Sequence, residues 1–500
     1  MFAVILVPLL PLLASLIVLV GDEGSRNLRA KIAACPIGAA FLGAIATLWL
    51  VATEGPITIR FYDPASLAIL TFPIGFYIDR LSAVMMVLIS GVGTIIYTYS
   101  IGHLYQDHHD RRFLALLGFT VSVLLCLVSS ANLMMLFLLW QVISCLLYLL
   151  AHNHSHDATR RGAVRTFTLL RVGDVAFLAG IVLAHSLYGT LEFQELFARA
   201  AESTATVPLL PGIEISGATA VTLLLFIGAM SKSAQFPLFI WLPGYLYAPT
   251  PATALLHAGI INAGGFLINR LAPLYGLSPT TLHVALVVGA LTAVLGATMM
   301  LVQNDIKNTL GFSTIGQMGY MIMECGLGAF SLAVFHLIAH GLFKATMFLN
   351  SGNVIHKARQ EPASPHADPH AEEREFSRLT WFTGFTVVFN YLFAVESFTK
   401  FLYPNPAEVA TYFQAAALPT WLFDGLIGGT ALVIILGWFY IYAKAHGQTM
   451  WVPNVTEGLR HRLYVLFLNR LYVDQANERL GWAVTHVIRS IDSRAKRRAP

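Results

Sequence analysis

The run AMSKSAQFPLFIWLP, residues 229–243, decides how the rest of the chain is read. Lys232 sits inside an apolar stretch, and Pro237 follows five residues later. Proline lacks a backbone N–H and its ring displaces the carbonyl four residues before it, here Ser233, so a helix cannot run through intact. An unpaired carbonyl at membrane depth is tolerated only where protein or a water-lined cavity surrounds it. The segment predicts a membrane helix broken next to a cation. Two readings of that cation stay open: an ion or proton relay, or a lysine whose amine snorkels to the membrane surface.

The composition around this segment agrees. The 500 residues are 56% apolar and 12% charged, with a mean hydropathy of +0.67. A soluble chain carries about twice that charge fraction. No charge occurs from Met1 to Gly21 or from Ile32 to Thr53, each run long enough to supply the roughly 20 residues that cross a bilayer core. The fold class is all-α: a polytopic membrane protein of about thirteen spans, with at least one broken helix. The spans are predicted near 2–20, 32–53, 81–102, 113–131, 132–151, 162–187, 217–241, 251–273, 281–302, 309–328, 330–350, 377–402 and 421–443.

Lys and Arg then orient the chain. With the N-terminus outside, inner loops carry Arg26, Arg29, Lys31, Arg111, Arg112, Arg160, Arg161, Lys307, Lys357, Arg359 and Arg374, and the tail adds nine basic residues between Arg460 and Arg498. Outer loops hold little beyond Arg60, Arg80 and Arg199. The N-terminus is therefore placed in the periplasm and the C-terminus in the cytoplasm. The first span lacks a basic flank and a cleavage site, so it reads as a permanent helix. The net charge of +4 resides in these loops and the tail, and nothing in it points to nucleic acid. Cys35, Cys126, Cys145 and Cys325 lie far apart inside spans, neither a disulfide framework nor a zinc spacing.

Four segments fall outside the spans. Residues 55–78 read as an extracytoplasmic hairpin or loop, Leu191–Glu202 as an interfacial helix, 358–376 as a Pro/His/acid-rich linker, and 457–498 as a basic amphipathic stretch able to lie on the membrane or dock a partner.

Ionisable groups inside spans cost about 2.5–3.5 kcal/mol apiece on insertion scales, so each needs a reason. Here they cluster. Span six holds Arg165, Arg171 and Asp174, span eight holds His257, and span eleven holds His336, His340 and Lys344. The last three recur every four residues, on one helical stripe with steps of roughly 6 Å. Histidine and a buried lysine both exchange protons near neutral pH, so the stripe can pass protons through intervening water. A metal between His336 and His340 is the other possibility, disfavoured by the nearby Lys344 cation and by the lack of a carboxylate between the two histidines. The histidine clusters at 107–110 and 152–157 read as solvated loops rather than a metal or pH-sensing site. No nucleotide-binding loop, dinucleotide fingerprint or haem attachment motif occurs, so energy must come from an ion gradient or a partner.

These residues carry a resemblance. Lys232 to Pro243, Ala248-Pro-Thr-Pro-Ala-Thr-Ala-Leu-Leu-His257, Arg171-Val-Gly-Asp174, Asn304-Asp-Ile-Lys-Asn through Tyr320, and Phe335-His-Leu-Ile-Ala-His-Gly-Leu-Phe-Lys-Ala345 resemble the proton-translocating antiporter-like subunits of respiratory complex I and multisubunit cation/proton antiporters. The match runs from about Phe76 to Lys357, with an echo at Leu468–Asp474. It implies two inverted five-helix repeats and a polar axis along the bilayer midplane. The chain would then divide into N-terminal helices (1–112), a first repeat (113–275), a second repeat (276–445) and a basic tail (446–500). It further implies Lys232 as the channel lysine, His257 as its relay, and His336, His340 and Lys344 as the central bridge. Arg165, Arg171, Asp174, Gln141, Asp305, Lys307, Glu396 and Lys400 would support them.

The departures narrow the resemblance. Energy-converting members carry glutamate after the tryptophan of span five, where this chain has Gln141; Gly244 replaces an acidic residue; and span twelve lacks a proline break, offering Glu396 and Lys400 instead. A shortened member of this kind looks most like the DabB-like membrane subunits of inorganic-carbon accumulation complexes. That resemblance implies a DabA-like soluble zinc subunit on the cytoplasmic face, a proton or sodium gradient as the driver, a bacterial inner membrane, and neither a catalytic centre nor a cofactor on this chain. Two other assignments remain: a subunit of complex I, a membrane-bound hydrogenase or a cation antiporter, or a non-conducting membrane anchor for a soluble enzyme.

Overall fold

The computed structural model describes residues 2–20, 26–62, 72–103, 110–151, 157–246, 248–360, 394–417 and 457–473. Most of spans twelve and thirteen, nearly all of the 358–376 linker, the loop histidines and the tail beyond 473 lie outside the described residues. Within them, spans one to six form α1 (Phe2–Leu19), α2 (Arg26–Glu54), α3 (Arg80–His103), α4 (Asp110–Val128), α5 (Leu133–Ala151) and α6 (Asp157–Tyr188). Then come α7 (Phe193–Glu202), α8 (Gly217–Lys232), α9 (Trp241–Tyr245), α10 (Thr250–Ala258), α11 (Ala263–Arg270), α12 (Ala272–Tyr275), α13 (Pro279–Leu301), α14 (Ile306–Gly326) and α15 (Phe330–Gln360). Eight helical segments among the described residues are long and apolar enough to cross a membrane, and Val4–Leu19 and Gly217–Lys232 are shorter apolar helices. The chain is an all-α, multi-pass membrane protein.

Lipid leaves a backbone no partner but itself, so helices satisfy their own donors. Span hydroxyls do the same: Ser90 donates to the Met86 carbonyl at 2.6 Å, and Thr120 to the Leu116 carbonyl at 2.6 Å. Helices close up where side chains are small. A Cβ on Gly296 would come within 2.4 Å of the Gly316 backbone nitrogen, so α13 and α14 cross backbone against backbone.

One face of the bundle carries two antiparallel hairpins. The first pairs β1 (Ile57–Tyr62) with β2 (Ile74–Ile78), in the register Ile59 opposite Phe76. The second, β3 (Thr206–Leu210) with β4 (Ile213–Ser216), was not anticipated, because its strands are too short to show an alternating pattern. Bridges from Phe76 to Ser130 and from Asn132 to Glu192 join this face to the ends of α4, α5 and α7. Just inside it, Arg270 grips Asp79 bidentately at 2.7 and 3.1 Å and also donates to the Ser82 hydroxyl. Burial would push the Asp79 carboxyl up, but the Arg270 guanidinium and Ser82 together hold it below the usual carboxylate range.

The break near Lys232 is real but comes earlier than Pro237 dictates. α8 stops at Lys232, and Ala234 takes a left-handed φ of +49°. The Ser233 carbonyl accepts from the Gln235 side chain at 2.9 Å, so it is satisfied within the chain. The second interruption is a correction. Span eight, read as one helix over 251–273, breaks at Gly259 into α10, a 3₁₀ turn at Ile260–Asn262, and α11. The Ser233 hydroxyl donates to the Ile261 carbonyl at 2.6 Å, tying the two breaks together.

Candidate ion pathway

The end of α8 delivers Lys232 into a packed site between α5 and α6, where it is 1% exposed. Its amine donates to the Ser144 hydroxyl at 2.5 Å and the Trp140 carbonyl at 3.4 Å, and sits 4.9 Å from the Trp140 ring centroid. The Trp140 indole donates to Asp174 at 2.9 Å, and Arg171 pairs with Asp174 at 2.8 Å. Gln141 joins the same cluster from the other side: its side-chain carbonyl accepts from Arg171. One buried network thus links Lys232, Trp140, Asp174, Arg171 and Gln141. Asp174 and Arg171 lie within Coulombic range of the amine, with Asp174 as its nearby carboxylate. Arg165 lies six residues before Arg171 on α6, near where Gly162 and Gly244 allow α6 and α9 to touch: a Cβ on Gly162 would fall 2.2 Å from the Gly244 carbonyl oxygen.

His257 lies on α10, fully buried, its ring stacked on Phe348 of α15 with centroids 4.2 Å apart. The two helices meet closely here, since a Cβ on Gly341 would fall 2.7 Å from the Ala258 carbonyl oxygen. That contact sets His257 beside the α15 stripe. Neither ring nitrogen of His257 or of His340 has a hydrogen-bond partner among the described residues. Buried imidazoles in this state can take and release protons through a bridging water without first breaking a bond. His340 is electrostatically coupled to Lys344, His336 and His257. Lys344, 1% exposed, donates to the Leu310 carbonyl at 3.3 Å.

His336 differs from its two stripe partners. Its Nδ1 faces both oxygens of Glu324 at 3.1 Å, and its Nε2 faces the Gln317 side-chain oxygen at 2.9 Å. The His336 and His340 rings stand 6.4 Å apart, edge to face, and with both His336 nitrogens engaged elsewhere they do not converge on a common point.

Four of the supporting residues do not join the cluster. Asp305 caps α14, accepting from the Lys307 backbone at 3.1 Å and from Asn308 at 3.0 Å, and Lys307 stands in that same first turn. Glu396 and Lys400 pair with each other at 2.7 Å on an exposed face. Sequence reasoning missed Ser144, the tryptophan's bridging role and Glu324. A lone carboxylate in the otherwise uncharged run 309–328 was the available signal for the last.

Two broken helices set around a buried lysine, with a histidine–lysine stripe beside them, define a class of membrane subunit, and comparison with known proteins agrees. The family described as NADH:quinone oxidoreductase/Mrp antiporter, TM matches residues 130–391, and the complex I chain 5 N-terminus family matches 65–114. The chain belongs to these antiporter-like membrane subunits. Within them it is DabB-like: it is 35% identical to the probable inorganic carbon transporter subunit DabB1 of Halothiobacillus neapolitanus, over 95% of this chain and 96% of that protein. It is also 38% identical to NADH-quinone oxidoreductase subunit L of Neisseria meningitidis serogroup A, over 63% of this chain, but spans only 47% of that subunit's length. Among solved structures, the Mrp complex from Dietzia sp. DQ12-45-1b shares the fold at a TM-score of 0.65 and 21% identity, covering 98% of this chain and 60% of that one.

Proposed function

We propose that this chain is the ion-translocating membrane subunit of an energy-coupled inorganic-carbon uptake complex in a bacterial inner membrane. A proton or sodium gradient discharged through Lys232, His257, His340 and Lys344 would drive hydration of CO2 to bicarbonate on a soluble, zinc-containing, carbonic-anhydrase-like partner. The observation that carries the reading is the whole-length likeness to a carbon transporter subunit in a chain whose buried titratable groups line two helix breaks. One charge falling through 100 mV supplies about 2.3 kcal/mol, enough to bias a hydration equilibrium roughly 50-fold. The zinc and the hydration chemistry belong to the partner. This chain's contribution is to hold and pass the cation along its buried side chains. The two inverted repeats, the division at 113, 276 and 446, the periplasmic N-terminus and the cytoplasmic docking face belong to the same proposal.

Assembly into complex I or a cation antiporter is the second reading, supported by the likeness to subunit L; the half-length match and the neutral Gln141 weigh against it. The test is rescue of a carbonic-anhydrase-deficient host in ordinary air. The chain with its zinc-containing partner should restore growth, an uncoupler should abolish the effect, and Lys232→Ala should fail to rescue. Rescue by Lys232→Ala at the unmutated level refutes the proposal.

A further inference from the structure

Gln141 is neutral and committed to Arg171, and among the described residues the direct hydrogen-bond partners of Lys232 are the Ser144 hydroxyl and the Trp140 carbonyl, not a carboxylate. Glu324 supplies one in the second half. It stands two residues before the end of α14, on the hairpin face of the bundle, and α15 starts from that same face. His336 therefore lies nearest that face, His340 one turn deeper and Lys344 one turn beyond, in steps of roughly 6 Å. Glu324 is the carboxylate that touches this stripe among the described residues, and its contact is with the outermost member. The pair is neither sealed nor solvated: the side chains of His336 and Glu324 are 14% and 13% exposed. A charge inside a span costs about 2.5–3.5 kcal/mol and calls for a function.

We propose that Glu324 and His336 form the proton-exchanging port of the pathway on the hairpin face. The inference rests on the function proposed above and adds a residue and an entrance to it. With Glu324 ionised and His336 doubly protonated the pair is neutral overall. As the Nε2–H bond to Gln317 opens, one proton leaves the imidazolium toward His340 through an intervening water, and one arrives from the aqueous face by way of Glu324 to restore it. Only N–H and O–H bonds form and break, and no electrons move. The facing groups are compatible with this. Gln317 of α14 offers its oxygen to Nε2. His340 and Lys344 continue the stripe, and His257 approaches from α10. The helical segment 394–402 packs through Phe398 on Phe335, and its Glu396 and Lys400 neutralise each other. A static lock between α14 and α15 would use the same contact but would have no need of a proton carrier.

Aspartate separates the two roles. At position 324 it keeps a titratable carboxylate one methylene shorter, while glutamine keeps the reach and an acceptor oxygen for His336 but cannot carry a proton. The full chain, with the subunits that accompany it from its membrane, is reconstituted into liposomes holding a pH-sensitive dye, and a potassium diffusion potential is imposed. Glu324→Gln should slow dye-reported proton entry by about tenfold or more, within the range of a lost general acid–base group, while Glu324→Asp stays within about threefold of the unmutated chain. Unmutated flux in Glu324→Gln, or equal loss in both variants, overturns the port while leaving the proposed function standing, provided Lys232→Ala abolishes flux. Flux unaffected by Lys232→Ala sinks the proposed function instead. Should Glu324→Gln fail to assemble, His336→Gln decides: normal flux overturns the port and a loss of about tenfold supports it.

Discussion

Removing the Ser144 hydroxyl leaves the Lys232 amine with a carbonyl at 3.4 Å and an aromatic face as its direct partners. A hydrogen bond to a charged group contributes about 1.5–3 kcal/mol, so Ser144→Ala should disfavour the charged amine and slow uncoupler-sensitive carbon uptake by about tenfold. Ser144→Thr, which keeps the hydroxyl, should retain most of the rate. A different pair of residues governs acid stability. Asp79 is held below the usual carboxylate range, so its contribution is complete above the unfolded value of about 3.9 and is lost as pH falls through the lower folded value. Thermal unfolding of the detergent-solubilised chain between pH 7 and pH 3 should therefore decline less steeply in Asp79→Asn, from a lower starting point. Arg270→Ala, which leaves the part-buried Asp79 carboxylate without its guanidinium, should cost about 1–3 kcal/mol at neutral pH.

At the scale of elements, the break after α8 stands because the Gln235 side chain takes the Ser233 carbonyl and the Ser233 hydroxyl takes the Ile261 carbonyl. Gln235→Ala leaves the first carbonyl unpaired in a buried site, at a cost of about 1–3 kcal/mol. Thermal unfolding should register the loss, and Gln235→Glu, whose ionised carboxylate cannot donate, should not restore it. The proline in the opening motif announced a break, but not its form: the helix stops at the lysine, and a side-chain amide replaces the lost backbone donor. The break at Gly259 was invisible because it carries no proline. A glycine in an apolar run is compatible with an intact helix, and the packing of Ser233 against Ile261 ties the chain there.

The whole molecule adds orientation and connectivity. In the orientation proposed from the basic loops the hairpin face lies outside, so in a cysteine-free background Ser66→Cys should react with a membrane-impermeant maleimide from the periplasm and Ser364→Cys only after the inner face is opened. The reverse pattern would invert the direction proposed for the pathway. Membrane class, most of the spans described here, a hairpin or loop within 55–78, the break after Lys232 and the α15 stripe were legible in the sequence, because lipid exclusion, proline chemistry and helical periodicity act on neighbours along the chain. Ser144 with Lys232, Arg270 with Asp79 and Glu324 with His336 were not, being separated by 88, 191 and 12 positions and lying on different elements of the fold. Periodicity states which residues share a face of one helix, but says nothing of which helix that face meets or at what height. Those were decided by the close backbone crossings at small residues and by the two interlocked breaks, which exist only once the helices have packed.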